Sequence, residues 1–398
     1  MSKTDKHIPF NKPYCTGDEL GYIAQAMANN HLSGDGMFSA KCHAWLEDKI
    51  TAPRALLTHS GTAALEMAAL LLNIKPGDEV IMPSFTFVST ANAFALRGAV
   101  PVFIDIDVQT MNIAPSLIEA AITAKTVAIV VVHYAGVSCD MDKIMEIAAH
   151  HTLHVIEDAA HAVLSSYKGR MLGSIGILAA LSFHETKNLS CGEGGAIIIN
   201  DPSLIERSEV IREKGTNRKQ FFQGMVDKYS WTDIGSSFLP SELEAAFLWA
   251  QMESAGSIQD KRLASWNAYD NGFSQLEREG RVRRPVVPVD CRHNAHLYYI
   301  LVDNFNERKA LQAYMKEAGI DCLPHYVPLH SSIAGQNLGR ASGSLKITDK
   351  TSATLLRMPL WADLPASSIE TICQKVTEFF QTNSQAVSRR SSELQEVD

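Results

Sequence analysis

From residue 56 onward the chain repeats one device: a short aliphatic or β-branched run, a turn, and a segment with apolar residues at helical spacing. The runs are Leu56-Leu57, Glu79 to Met82, Val100 to Ile104, Ala128 to His133, His154 to Glu157, Ala179 to Phe183 and Ala196 to Ile199. The helical segments among them are Ala63 to Leu72, Ser89 to Arg97, Pro115 to Ile122 and Met141 to His150. Strands that alternate with helices are joined by crossovers, and crossovers align strands in parallel. The pattern therefore predicts an α/β fold with a mostly parallel sheet. In such sheets ligands collect beyond the carboxyl ends of the strands, so the residues that close each run carry the functional information.

The flanks differ. An N-terminal arm leads into two helical segments, Asp18 to Ala28 and Phe38 to Ile50, separated by the Gly-rich stretch Leu32 to Gly36. After residue 204 the pattern turns helical, with Leu204 to Glu213 and one long helix from Pro240 to about Leu276. A smaller C-terminal α/β unit follows, with strands Leu297 to Val302 and Cys322 to His325, and helices Lys309 to Ala318 and Ser367 to Phe380. A length of 398 residues suits two packed domains. The expected division is 1–250 for arm and large domain, 251–382 for the small domain, and 383–398 for a frayed polar tail.

Charge and cysteine usage remove whole classes of function. With 36 Lys+Arg against 44 Asp+Glu, the net charge of −8 disfavours a nucleic-acid partner. Seven scattered cysteines, an odd number with no CxxC pair, fit reduced thiols in a cytoplasm, not a disulfide framework or a structural metal site. Met1 to Pro9 is polar and lacks a signal-peptide core, and the longest apolar run, Val127 to Val132, is too short to span a bilayer. A cytoplasmic protein with no metal and no membrane partner is expected.

Four features carry chemistry. Ser60-Gly61-Thr62-Ala63 follows a strand and opens a helix. Glycine there permits close backbone approach to an anion, and the helix start offers unpaired N–H groups; alone, the same residues are an ordinary helix cap. Val155-Ile156-Glu157-Asp158 ends a strand in carboxylates, and Asp158 is placed to pair with a protonated ring nitrogen or simply to cap a helix. Lys187 sits in Ser182-Phe183-His184-Glu185-Thr186-Lys187-Asn188, between two apolar runs and before Gly192-Glu193-Gly194-Gly195. Partial desolvation there would free its amine as a nucleophile, although most lysines are only solvated charges. Phe87, in Pro83-Ser84-Phe85-Thr86-Phe87, is an aromatic just past a strand, where it can stack on a flat ring or fill a core. The order of the four is more specific than any one of them.

With the stretches Gly77 to Phe87, Val155 to His161, Ser182 to Asn188 and His325-Tyr326-Val327-Pro328-Leu329-His330, this order resembles the DegT/StrS-type sugar aminotransferases over about residues 8 to 380. The resemblance implies a fold-type I enzyme dependent on pyridoxal 5'-phosphate (PLP), with pyridoxamine phosphate as intermediate. Lys187 would be the Schiff-base lysine and carry the proton. Asp158 would face the pyridine nitrogen, His161 the phenolic oxygen and Phe87 the ring, while Gly61, Thr62 and Ser182 would hold the phosphate. Family members are homodimers with shared active sites, and Ser237 aligns with a residue that reaches the partner's phosphate, where many relatives have asparagine. Lysine at 187, where related dehydratases have histidine, implies transamination. Phe183 to Asn188, Ile211 to Arg218 and Asp233 to Ser237 resemble the branch serving enterobacterial common antigen. Its reaction converts dTDP-4-keto-6-deoxyglucose and L-glutamate to dTDP-4-amino-4,6-dideoxygalactose and 2-oxoglutarate. Alternatives are a gluco-configured 4-amino product, a 3-amino sugar, or a non-catalytic PLP-binding regulator. His325, Tyr326, His330, Lys214 and Arg218 are the expected substrate contacts, the basic pair suiting a diphosphate.

Overall fold

The computed structural model describes residues 7–222 and 224–395. Most of Met1 to Pro9, read above as lacking a signal peptide, lies outside the described residues. An eight-stranded sheet runs in the spatial order Arg54–Thr58, Gly195–Ile199, Leu178–Ser182, His154–Asp158, Thr126–Val132, Glu79–Pro83, Val100–Ile104, Arg340–Ala341. All neighbours are parallel except Gly195–Ile199, which is antiparallel to both strands beside it. The mostly parallel sheet is thus present.

A sheet covered on both faces needs strands apolar on both faces, and Thr126–Val132 supplies this. Its Ile129 and Val131 join one core with Phe38, Cys42 and Leu46 of helix Met37–Ile50 and with Met141 and Ile144 of helix Met141–His151. Its Ala128 and Val130 join the opposite core with Ala64, Met67 and Leu71 of helix Gly61–Leu71. That helix is apolar nearly all round because it is buried nearly all round. A third core gathers Trp266, Tyr269 and Phe273 with Tyr298, Ile300, Leu356 and Ile372. It backs a small antiparallel sheet in which Leu355–Met358 lies between Tyr298–Leu301 and Leu323–Pro324.

Three elements depart from the sequence reading. The long helix from Pro240 is two helices, Glu242–Glu253 and Ala255–Arg278, broken at Ser254, whose ψ of 6° leaves the helical range. Its start is fixed by a capping box: Ser241 Oγ accepts from Glu244 N–H and the Glu244 carboxylate accepts from Ser241 N–H. The segment after Pro115 tightens to a 3₁₀ turn, Pro115–Leu117, before one α turn, Ile118–Ala121. The last helix, expected to stop at Phe380, runs Ala366–Gln395, because no glycine or proline follows Pro365 to end it.

Candidate active site

At the carboxyl edge of the large sheet a cavity of about 550 Å³ opens toward the small sheet. Its wall holds Gly61, Thr62, Phe87, Asp158, His161, Ser182, Lys187, His325 and Tyr326, so strand ends far apart in sequence converge on one cavity. Ser237, Lys214 and Arg218 do not reach it; they line a separate cavity of about 760 Å³ with His31 and Arg54. His330 also stands apart, its Nδ1 hydrogen-bonded to Ser84 Oγ at 2.8 Å and its Nε2 3.4 Å from Asp349.

One end of the cavity is a start-of-helix anion cradle. Ser60 Oγ caps helix Gly61–Leu71 by accepting from Ala63 N–H, which leaves the first amides for a ligand. A Cβ on Gly61 would sit 2.9 Å from Ser182 Cβ and 3.1 Å from Leu181 O, so only glycine lets the helix start and the strand end pack this closely. Gly195 allows the second close approach, since its Cβ would meet the carbonyl carbon of Ser60 at 2.3 Å. Thr62 Oγ1 lies 2.7 Å from Ser89 Oγ, adding hydroxyls to the amides. These donors fit a phosphate monoester.

Asp158 closes strand His154–Asp158 and is only 6% exposed. Thr90 Oγ1 donates to its Oδ2 at 2.7 Å and Ala160 N–H to its Oδ1 at 3.2 Å. Thr86 Oγ1 is 2.7 Å from Thr90 Oγ1; since Thr90 gives its proton to the carboxylate, Thr86 must donate to Thr90. Burial pushes the Asp158 pKa up, and the Thr90 and Ala160 hydrogen bonds and the Lys187 charge oppose the rise. A buried carboxylate of this kind suits a cationic ring nitrogen. Phe87, by contrast, is 58% exposed at the cavity rim, an aromatic face left open for stacking.

Lys187 hangs from a hairpin between strands Leu178–Ser182 and Gly195–Ile199. Its neighbours brace it: Asn188 Nδ2 donates to Asn294 O at 2.7 Å, and Asn188 Oδ1 pairs with His296 Nδ1 at 2.9 Å. Fully buried Asn294 also donates to the carbonyls of His161 and Val163, both at 2.8 Å. Burial lowers the Lys187 pKa to about 8, against the raising effect of Asp158 and with the Arg357 charge adding to the fall. The amine is therefore available as a nucleophile near neutral pH.

His161 stacks on His296 with centroids 4.1 Å apart, and His325 stacks on Tyr326 at 3.5 Å. Burial holds all three imidazoles well below the usual histidine range, reinforced at His161 and His325 by the Lys187 and Arg357 charges. Burial raises the Tyr326 phenol, which lies 3.4 Å from His161 Nε2. The cavity thus offers neutral hydrogen-bonding rings around one reactive amine.

Thr90, Asn294, His296 and Arg357 were not among the residues read from the sequence. Arg357 had a visible signal: a charge in the otherwise apolar strand Leu355-Leu356-Arg357-Met358.

Among the described residues no helix is long and apolar enough to cross a membrane. The profile of the DegT/DnrJ/EryC1/StrS aminotransferase family matches residues 13–377. The chain is 36% identical over 341 residues to the spore coat polysaccharide biosynthesis protein SpsC of Bacillus subtilis, covering 83% of this chain and 86% of that one. It is 32% identical over 364 residues to the GDP-perosamine synthase of Caulobacter vibrioides, covering 90% and 95%. In structure it is similar to Helicobacter pylori PseC, an aminotransferase involved in the biosynthesis of pseudoaminic acid, with a TM-score of 0.87, 26% identity, and 95% and 100% of the two chains covered.

Proposed function

Because the chain belongs to the DegT/DnrJ/EryC1/StrS aminotransferase family and is a PLP-dependent transaminase of nucleotide sugars, we propose that it aminates C4 of dTDP-4-keto-6-deoxyglucose at the expense of L-glutamate, giving dTDP-4-amino-4,6-dideoxygalactose and 2-oxoglutarate. The observation that carries the catalytic reading is the amine of Lys187, held near pKa 8 in one cavity with Asp158 and the Gly61–Thr62 cradle. PLP supplies the electron sink for moving the amino group. Gly61, Thr62 and Ser182 would hold its phosphate, Asp158 would pair with its ring nitrogen, His161 with its phenolic oxygen, and Phe87 would stack on its ring. Lys187 would be its attachment point and would carry the proton at the substrate carbon.

The choice of sugar nucleotide rests on the segments Ile211 to Arg218 and Asp233 to Ser237, which pair through the bridge Glu213–Ser237, with a second bridge from Thr216 to Trp231 just ahead of the latter segment. This paired unit presents Lys214, Arg218 and Ser237 to the second cavity. We read that cavity as serving a partner subunit's site in a homodimer, Ser237 toward its cofactor phosphate and the two cations toward a diphosphate. Trp231 and Met225, 81% and 68% exposed, give this region the apolar surface that a subunit contact needs. His325 and Tyr326 face the sugar, and His330 holds the wall behind them. A cytoplasmic location and a role in surface polysaccharide synthesis complete the reading.

The test is incubation of the purified protein with PLP, L-glutamate and dTDP-4-keto-6-deoxyglucose, with the product solved by mass and NMR. An axial C4 amine supports the galacto product. An equatorial amine, or amination at C3, replaces it with one of the alternatives.

A further inference from the structure

Arg357 lies at the centre of the small sheet and reaches the cavity wall shared with Lys187. Its Nε is buried without a hydrogen-bond partner. One terminal nitrogen donates to Pro324 O at 3.3 Å, and no carboxylate among the described residues pairs with it. A guanidinium with one buried donor unsatisfied and no counter-charge is costly, even where its terminal nitrogens reach the open cavity. The acids of the cavity do not relieve it: Asp158 is taken by Thr90 and Ala160, and Glu193 faces His184 at 3.7 Å.

What holds the group is an aromatic face. The guanidinium lies over the Phe10 ring at 4.6 Å. Phe10 belongs to the N-terminal arm, and the arm is tied at both sides. Ile8 N–H donates to Gly319 O at 2.9 Å and Asp321 N–H to Ile8 O at 3.0 Å, while Asn11 Nδ2 donates to Glu185 O at 3.4 Å on the lysine hairpin. The arm is part of the active-site wall, and it presents a cation that lacks an anion.

We propose that Arg357, seated on Phe10, is the anchor for the α-carboxylate of the amino donor, with Phe10 as its positioning residue. The cofactor phosphate is served from the other sheet by Gly61, Thr62 and Ser182. The α-carboxylate is bonded to the carbon that carries the transferred amine, so its binding group must stand in the cavity that holds Lys187, and Arg357 lines that same cavity. A nucleotide diphosphate, separated from C4 by the sugar ring, lies farther from that point. During the sugar half-reaction the guanidinium keeps its seat on Phe10. The inference rests on transamination, not on which keto-sugar is the acceptor.

The donor readings use the holoenzyme without any sugar, and the KM of the sugar nucleotide is measured separately by full turnover. Single-turnover loss of the cofactor's visible absorbance on adding L-glutamate gives the half-saturating donor concentration. Calorimetric titration with glutarate, a dicarboxylate without an amine, gives binding alone. Arg357→Gln raises the glutamate half-saturation and weakens glutarate about 10- to 100-fold. Arg357→Lys falls between it and the parent, and stands as the deciding variant if the first does not fold. Phe10→Leu gives a smaller loss, about 3- to 10-fold, in the same two readings. The arginine variants still take up the cofactor, read by its visible absorbance. Unchanged glutarate binding and donor saturation in the arginine variants would overturn the proposal. So would a loss confined to the KM of the sugar nucleotide, which would make the group a diphosphate contact. Failure of dTDP-4-keto-6-deoxyglucose to react would leave these donor readings untouched.

Discussion

Replacing Thr90 by valine removes one hydroxyl of known direction and keeps the shape of the side chain. In the parent, Thr86 donates to Thr90 and Thr90 donates to Asp158 Oδ2. A hydrogen bond to a charged group contributes about 1.5–3 kcal/mol. At 1.36 kcal/mol per pKa unit, its loss raises the Asp158 pKa by about 1–2 units. Burial has already moved that pKa upward, so both effects act in one direction and the carboxylate becomes neutral over a wider acid range. Where Asp158 is protonated it no longer offers a charge to the ring nitrogen. The acid limb of the kcat/KM profile should therefore move up by about 1–2 units, with activity on its alkaline side near that of the parent. PLP affinity, read by absorbance titration, should weaken across the same window. Thr90→Ser keeps the donor and should restore the profile. The fully buried Thr86 loses its acceptor in Thr90→Val, a stability cost that Thr86→Val in the same chain relieves without moving the profile back. A rate loss uniform across pH, or an unmoved acid limb, would refute the reasoning.

Two further outcomes follow from buried charges. With a pKa of about 8, Lys187 holds roughly a tenth of its amine free at pH 7, against less than about a thousandth for an ordinary lysine. PLP uptake by the apoprotein should thus rise with pH and level off above about 8, vanish in Lys187→Ala, and not keep climbing to pH 10. The fully buried Glu157 accepts from Ile175 and Gly176 at one oxygen and from Gly173 and His133 at the other. Burial raises its pKa, but the His133 and amide hydrogen bonds overcome this and leave it lowered. Its stabilisation is present above the unfolded-state pKa of about 4.3 and is lost as pH falls through the lower folded value. Glu157→Gln turns an NH2 toward two donors and should cost about 2–5 kcal/mol in urea unfolding at pH 7. The gap to the parent should narrow below about pH 4; a gap that widens on acidification would contradict the assignment.

What the sequence made legible were local signals whose physics is local. Each strand reads as an apolar run, and Gly61, Asp158 and Lys187 sit where the runs end, so sheet and cavity edge could be assembled from spacing. The break at Ser254 was illegible because apolar residues keep helical spacing across it, and one residue outside the helical range leaves no mark on composition. Thr90 and Asn294 were illegible for another reason. Each matters through partners distant in the chain, Asp158 for Thr90 and His161, Val163 and Asn188 for Asn294, and nothing in their own surroundings announces it. Ser237 was identified by alignment to the resemblance, and Lys214 and Arg218 by their charge, and neither signal carries the cavity in which one chain places them.

The brace at Asn294 bears on when the site comes into being. Its bonds to the carbonyls of His161 and Val163 span 133 and 131 residues, and the Asn188–His296 pair spans 108. Closing loops of that length delays contact formation relative to local pairing. On a chain made from its N-terminus, the lysine hairpin is complete at Ile199, nearly a hundred residues before the brace residues Asn294 and His296 are made. A growing chain therefore carries the nucleophile without the surroundings that aim it, and competence for the cofactor waits until Asn294 and His296 have been made.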